Sequence, residues 1–171
     1  ALLVVVFFTA RTLFAETTAL IASLMMASSV AFFGSTHDAR CDLLYSLLCA
    51  AGVAGFVRAR AEGFSTRSAA LAIHSLWASF GLATLTKGPH VPLIFLVAMI
   101  LFCALREPDK RAALTGLRPV SGVALAALLS APWWILLRQR VGQDALHNSQ
   151  LSGSLLTVGW RHVLDPYYFY S

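Results

Sequence analysis

Lys87 stands in the stretch Thr84-Leu85-Thr86-Lys87-Gly88-Pro89, between two runs that carry almost no charge. His74 is the one acidic or basic residue from Ala69 to Thr86, and Val91–Leu105 has none. A cation at the end of an apolar run either meets an anion or extends its stem to anchor among lipid headgroups. Gly88 lets the backbone approach a ligand closely, and Pro89 and Pro92 prevent a regular helix from running through the turn. A lysine at such a break suits a phosphate or pyrophosphate group carried on a lipid.

A second concentration of chemistry is Ser35-Thr36-His37-Asp38-Ala39-Arg40-Cys41-Asp42, with a histidine, two carboxylates and an arginine. It reads either as a solvated loop or as part of a site. Asp42 directly abuts the apolar run from Leu43, where a helix N-terminus would favour an anion and where capping alone would explain it. His37, Asp38 and Asp42 do not have a standard zinc spacing. Further on, Ala131-Pro132-Trp133-Trp134 lies within an apolar run. The proline would kink a helix, and the tryptophans suit either an interfacial belt or a platform facing a sugar. Gly142, Asp144, His147 and Asn148 follow in a less apolar stretch. The last segment, Trp160 to Tyr170, holds Arg161, His162, Asp165, Tyr167 and Tyr168. It could bind a polar headgroup or form an aromatic belt.

The elements that must position these groups follow from hydropathy. The chain is 58% hydrophobic and 12% charged, with mean hydropathy +0.72. Soluble domains carry about 25% charged residues. Apolar stretches recur over Ala1–Ala10, Thr17–Gly34, Leu43–Val57, Ala69–Thr86, Val91–Leu105 and Val120–Leu137. Their continuity excludes an alternating barrel and predicts an all-α, polytopic transmembrane bundle of about six spans. Residues 1–137 would form the bundle, and 138–171 a juxtamembrane segment leading to a further span. The chain reads as a piece of a longer protein, with spans before it and sequence after it, and no cleavable signal is readable. Cys41, Cys49 and Cys103 lack CxxC spacing and are expected to be unpaired.

Cations sort by loop. Arg11; then Arg58, Arg60 and Arg67; then Arg106, Lys110, Arg111 and Arg118 fall on one side. Arg40, Lys87, Arg138, Arg140 and Arg161 fall on the other. The positive-inside rule makes the richer side cytoplasmic, so Asp42, Lys87 and everything after Arg138 are expected outside.

Taken in order, these motifs resemble the membrane-embedded GT-C glycosyltransferases that use polyprenyl-phosphate-linked sugars. The nearest group is the superfamily of protein O-mannosyltransferases and 4-amino-4-deoxy-L-arabinose lipid A transferases. The resemblance rests on Arg11-Thr12-Leu13-Phe14 between spans, Ala39-Arg40-Cys41-Asp42 opening a span, and above all Leu85-Thr86-Lys87-Gly88-Pro89. Pro132-Trp133, His147-Asn148 and the His162 to Tyr168 cluster complete it.

The resemblance implies a glycosyltransferase of a bacterial inner (plasma) membrane, with its site facing the periplasm or exterior. It implies a polyprenyl-phosphate sugar as donor and a protein, lipid A or another glycan as acceptor. It fixes no cofactor and leaves a divalent metal open, since some members bind a metal or the donor at the position matched by His147. Lys87, with Arg40, would hold the donor phosphate, whose charge grows as the sugar departs. Asp42 would be a supporting carboxylate, the principal acid lying in a first outer loop upstream of Ala1. His147, Asn148, His162, Tyr167 and Tyr168 would contact donor or acceptor. The competing class is a non-enzymatic membrane protein, a transporter or assembly subunit. Transporters usually place charges near the midplane and show internal repeats, whereas here the polar groups gather toward one face.

Overall fold

The computed structural model of the 171-residue chain describes residues 1–30, 32, 34 and 41–148. The described residues are helical, with no strand among them. Seven helices are labelled in chain order: α1 (Leu2–Leu13), α2 (Glu16–Ala27), α3 (Asp42–Ala61), α4 (Arg67–Lys87), α5 (His90–Arg106), α6 (Lys110–Gly116) and α7 (Pro119–Asn148). The stretches Asp42–Ala61, Arg67–Lys87 and Lys110–Trp133 are each long and apolar enough to cross a membrane, while α1, α2 and α5 are shorter apolar helices. Large apolar side chains face outward on α1, α2, α3, α4, α5 and α7, as at Phe8, Leu24, Leu44, Leu71, Leu101 and Leu128. Burying them requires lipid, since soluble monomers rarely expose such contiguous surface.

Two elements differ from the expected spans. Thr17–Gly34 is not one helix, because α2 ends at Ala27. The hydroxyls of Ser28 and Ser29 donate to the carbonyls of Met25 (3.1 Å) and Met26 (2.9 Å), and Ser29 Oγ accepts the amide of Phe32 at 3.3 Å. Serine side chains thus compete with the backbone ladder and open a new turn. Further on, the helix that holds Val120–Leu137 does not stop near Leu137: α7 continues through Pro132 to Asn148. The short α6, not expected from hydropathy, is capped by Asp109, whose Oδ1 accepts the Ala112 amide at 3.0 Å.

The chain divides into residues 1–130 and 131–171. The core of the first unit sits between α3, α4 and α5, with Ile73, Leu76 and Cys103 completely buried. The α3–α4 interface depends on Gly55: a Cβ there would lie 2.5 Å from Ala72 O and 3.0 Å from Ser75 Oγ. Small residues at such a crossing let two backbones approach. Along the other flank of α4, Trp77 packs over Gly122, and its indole Nε1–H donates to Leu117 O at 2.9 Å.

These contacts order the helix ends. Trp77 meets Gly122, and Gly81 meets Ala126, so α7 enters alongside α4 in the same direction. Leu2 and Leu3 line a cavity with Leu43 and Leu47, whereas Val5 lines one with Ala51 and Ala54, so α1 runs parallel to α3. The α3–α4 turn is pinned by Glu62, which accepts from Arg58 Nε (3.1 Å), Thr66 Oγ1 (3.2 Å) and Ser68 Oγ (3.0 Å). Thr66 in turn caps α4 by accepting the Ala69 amide at 3.0 Å. Arg60 pairs with Glu107 and lies over the Phe102 ring, 4.9 Å from its centroid. The cation-rich loops expected to share a side therefore gather at one end of the 1–130 unit, and Asp42 and Lys87 stand at the other. The three cysteines are unpaired, as their spacing predicts.

Candidate functional site

Asp42 and Lys87 form an ion pair. The pairing is a consequence of helix polarity. Asp42 is the first residue of α3 and Lys87 the last of α4. A helix N-terminus favours an anion and a C-terminus a cation. Antiparallel packing of α3 on α4 brings those two ends together. The pair is partly open to solvent, with side-chain exposure of 33% for Asp42 and 42% for Lys87, so another anion has access to the ammonium.

Capping does not explain Asp42. The N-cap of α3 is Cys41, which makes no side-chain cap bond, and Asp42 lies one residue inside the helix. Its Oδ1 is buried, and among the described residues its partner is the Lys87 ammonium rather than an amide or hydroxyl donor. Lys87 likewise has a partner within the protein, whereas a purely interfacial anchor needs none.

The turn after Lys87 is built around Gly88, whose φ of 99° and ψ of 175° belong to a region open essentially to glycine alone. Tyr45, one helical turn beyond Asp42, donates its hydroxyl to Gly88 O at 3.1 Å. Its ring lies 5.9 Å from that of His90. Tyr45, Cys49 and Ala83 form a small buried cluster with Leu48 and Val91 packed against it. Tyr45 therefore ties α3 to the α4–α5 turn just below the ion pair. Pro92 sits in the first turn of α5, where its missing N–H costs no helical bond. On its far side Asp42 borders a cavity of about 210 Å³ that Ser29 and Ser46 line with Leu2, Met26 and Leu43.

Sequence reasoning singled out Asp42 and Lys87 separately and missed Tyr45, His90, Ser29 and Ser46. The i, i+3 spacing of Asp42 and Tyr45 places them on one helical face, a signal available in the chain. His147 and Asn148 close α7, and their side chains are outside what the structure describes. Arg40, His162, Tyr167 and Tyr168 lie outside the described residues altogether, as do His37 and Asp38. Among the described residues no three His, Cys, Asp or Glu side chains are grouped to hold a metal ion.

The arrangement offers a carboxylate that can take a proton and, in contact with it, a fixed cation that can hold an oxyanion. Both stand at one end of a membrane bundle beside a cavity of mixed polarity. Residues 1–136 match the family model described as dolichyl-phosphate-mannose-protein mannosyltransferase. No curated protein and no solved structure matches the chain.

Proposed function

The chain belongs to the dolichyl-phosphate-mannose-protein mannosyltransferase family of GT-C membrane glycosyltransferases, and from that premise we propose that it moves a sugar from a polyprenyl-phosphate donor to an acceptor at the extracytoplasmic face. The observation that carries this reading is the Asp42–Lys87 pair at the end of the 1–130 unit opposite the cation-rich loops.

In the reaction an acceptor hydroxyl, amine or phosphate attacks the anomeric carbon. The bond from that carbon to the phosphate oxygen breaks, and polyprenyl phosphate departs with the electron pair. Lys87 meets the charge that accumulates on the leaving phosphate. A cation already fixed in place stabilises that charge without reorganising as it develops. Asp42 keeps the lysine oriented before donor arrives. Once phosphate takes over the ammonium, the Asp42 carboxylate becomes available as a supporting group for the acceptor proton. Arg40 would be a second phosphate contact. His147, Asn148, His162, Tyr167 and Tyr168 would contact donor or acceptor, with His147 the one candidate for a metal.

The test uses the full-length protein in liposomes with a radiolabelled polyprenyl-phosphate sugar. Lys87→Ala is expected to weaken donor binding and to lower transfer by about 10²–10³-fold, the usual scale for removing one fixed oxyanion partner. Asp42→Asn is expected to slow transfer while donor binding persists. Normal transfer by both variants, or no binding of polyprenyl phosphate by the wild type, would sink the proposal.

A further inference from the structure

At the end of the 1–130 unit remote from Asp42 and Lys87, a further cavity of about 240 Å³ opens between the α3–α4 turn and the α6–α7 turn. Gly63, Phe64 and Ser65 line it from one side, and Thr115, Gly116 and Arg118 from the other. The two turns interlock, because Phe64 packs directly on Gly116.

Two of its residues have backbones that side chains other than glycine rarely adopt. Phe64 has φ 62° and Arg118 φ 48°. Phe64 has a packing reason: it is buried among the core side chains and faces Phe56, ring centroids 6.0 Å apart. Arg118 has none. Its side chain is exposed while its backbone joins the two helices: the amide donates to Thr115 O at 3.0 Å, and the carbonyl accepts the Gly122 amide at 2.9 Å and the Ser121 hydroxyl at 3.3 Å. The left-handed turn that ends α6 thus leaves the guanidinium unburied at the rim of the cavity.

The charge balance supplies the ligand class. Arg11, Arg58 and Arg60 at this end are paired with Glu16, Glu62 and Glu107. Arg67, Arg106, Lys110, Arg111 and Arg118 have no carboxylate within ion-pair distance among the described residues. Asp109, the remaining acid here, is engaged as the cap of α6. Thr115 already donates its hydroxyl to Arg111 O at 2.8 Å, which leaves Ser65 and Arg118 as the donors lining the cavity. The cavity itself holds one cation, Arg118, and further cations stand on α6 and the neighbouring turns, so the charge around it suits an anionic headgroup.

We propose that the cavity bounded by Ser65, Thr115 and Arg118 binds the phosphodiester of an anionic phospholipid from the leaflet at this end. Arg118 holds the phosphate, Ser65 donates to it, and the cations of α6 supply the surrounding field. The site shares no residue with the sugar-transfer site, and its test does not depend on transfer.

Full-length protein is reconstituted in phosphatidylcholine nanodiscs containing phosphatidylglycerol, and the lipids that remain bound are counted by native mass spectrometry. Wild type is expected to retain phosphatidylglycerol in preference to phosphatidylcholine. Arg118→Gly keeps the backbone unstrained while removing the charge, and is expected to lower that retention about fivefold, the share of one cation at an anionic surface. Its thermal stability should be unchanged or raised, and Arg118→Lys should restore most of the retention. Millimolar inorganic phosphate should not displace the lipid; displacement would assign the cavity to free phosphate instead. Unchanged retention in Arg118→Gly would overturn the proposal. An equal loss in Arg11→Gln, outside the cavity, would also overturn it by showing a general charge effect.

Discussion

Replacing Gly55 by alanine tests the contact that brings the candidate site together. Alanine is the better helix former, and in a helix without tertiary constraint the change would stabilise by about 0.5–1 kcal/mol. The structure reverses that sign. The added Cβ would stand 2.5 Å from Ala72 O, 3.0 Å from Ser75 Oγ and 3.2 Å from Leu76 N. Two of those three are backbone atoms of α4, so no side chain can rotate away to make room. Relief requires α3 and α4 to part by roughly 1 Å to restore ordinary contact of about 3.5 Å, and overpacking of this kind costs about 1–3 kcal/mol. Set against the gain in propensity, the net expectation is a loss of about 1–2 kcal/mol. With each kcal/mol shifting the midpoint by about 2–4 °C for a chain of this size, thermal unfolding in detergent should fall by about 2–8 °C. Gly81→Ala grades the effect, because its nearest neighbour is Ala126 Cα at 3.0 Å, and its loss should be smaller. Donor transfer should fall further in Gly55→Ala than in Gly81→Ala, since the Asp42–Lys87 pair spans the α3–α4 interface. A Gly55→Ala protein as stable as wild type, or more stable, would show that the backbones do not meet there.

Other expectations are independent of that interface. Gly88→Ala forces a side chain into φ 99° and should cost about 1–3 kcal/mol, read as a lower unfolding midpoint together with weaker donor binding. Tyr45→Phe removes the donor to Gly88 O and should cost about 1 kcal/mol, with donor KM raised more than kcat is lowered. Trp77→Phe leaves Leu117 O without its indole partner, for an expected loss of about 1–3 kcal/mol of stability, read as a lower unfolding midpoint. Glu62 sits below the usual carboxylate range because Ser68 donates to it, with Arg58 and Thr66 adding to the effect. Its folded value being depressed, its contribution to stability is present above the ordinary carboxylate value and is lost as pH falls through the lower one. Stability measured across the acid range should therefore lose that slope in Glu62→Gln.

Much of this architecture is legible in the chain because it is carried by local composition. Apolar continuity marks the helices, and the loop cations sort them into two ends. The ordered set of motifs, with Leu85-Thr86-Lys87-Gly88-Pro89 the most specific of them, suggests the family and singles out Lys87 as a candidate. What misled was also local: the hydropathy of Thr17–Gly34 reads as continuous, but Ser28 and Ser29 turn their hydroxyls on the backbone and end α2 at Ala27. Likewise, α6 is too short and too charged to register as a helix beside its apolar neighbours.

By itself the sequence determined that the protein is a helical membrane bundle with its cations concentrated at one end, since the transfer of a side chain into lipid depends on that side chain alone. Only the tertiary structure decided that Asp42, for which the sequence leaves capping and a site role both open, meets Lys87, 45 residues further along the chain. The pairing needs α3 and α4 to lie antiparallel at glycine-limited distance, with Tyr45 tying α3 to Gly88. Packing of that kind depends on which surfaces fit together, a property of two helices at once that neither segment carries alone.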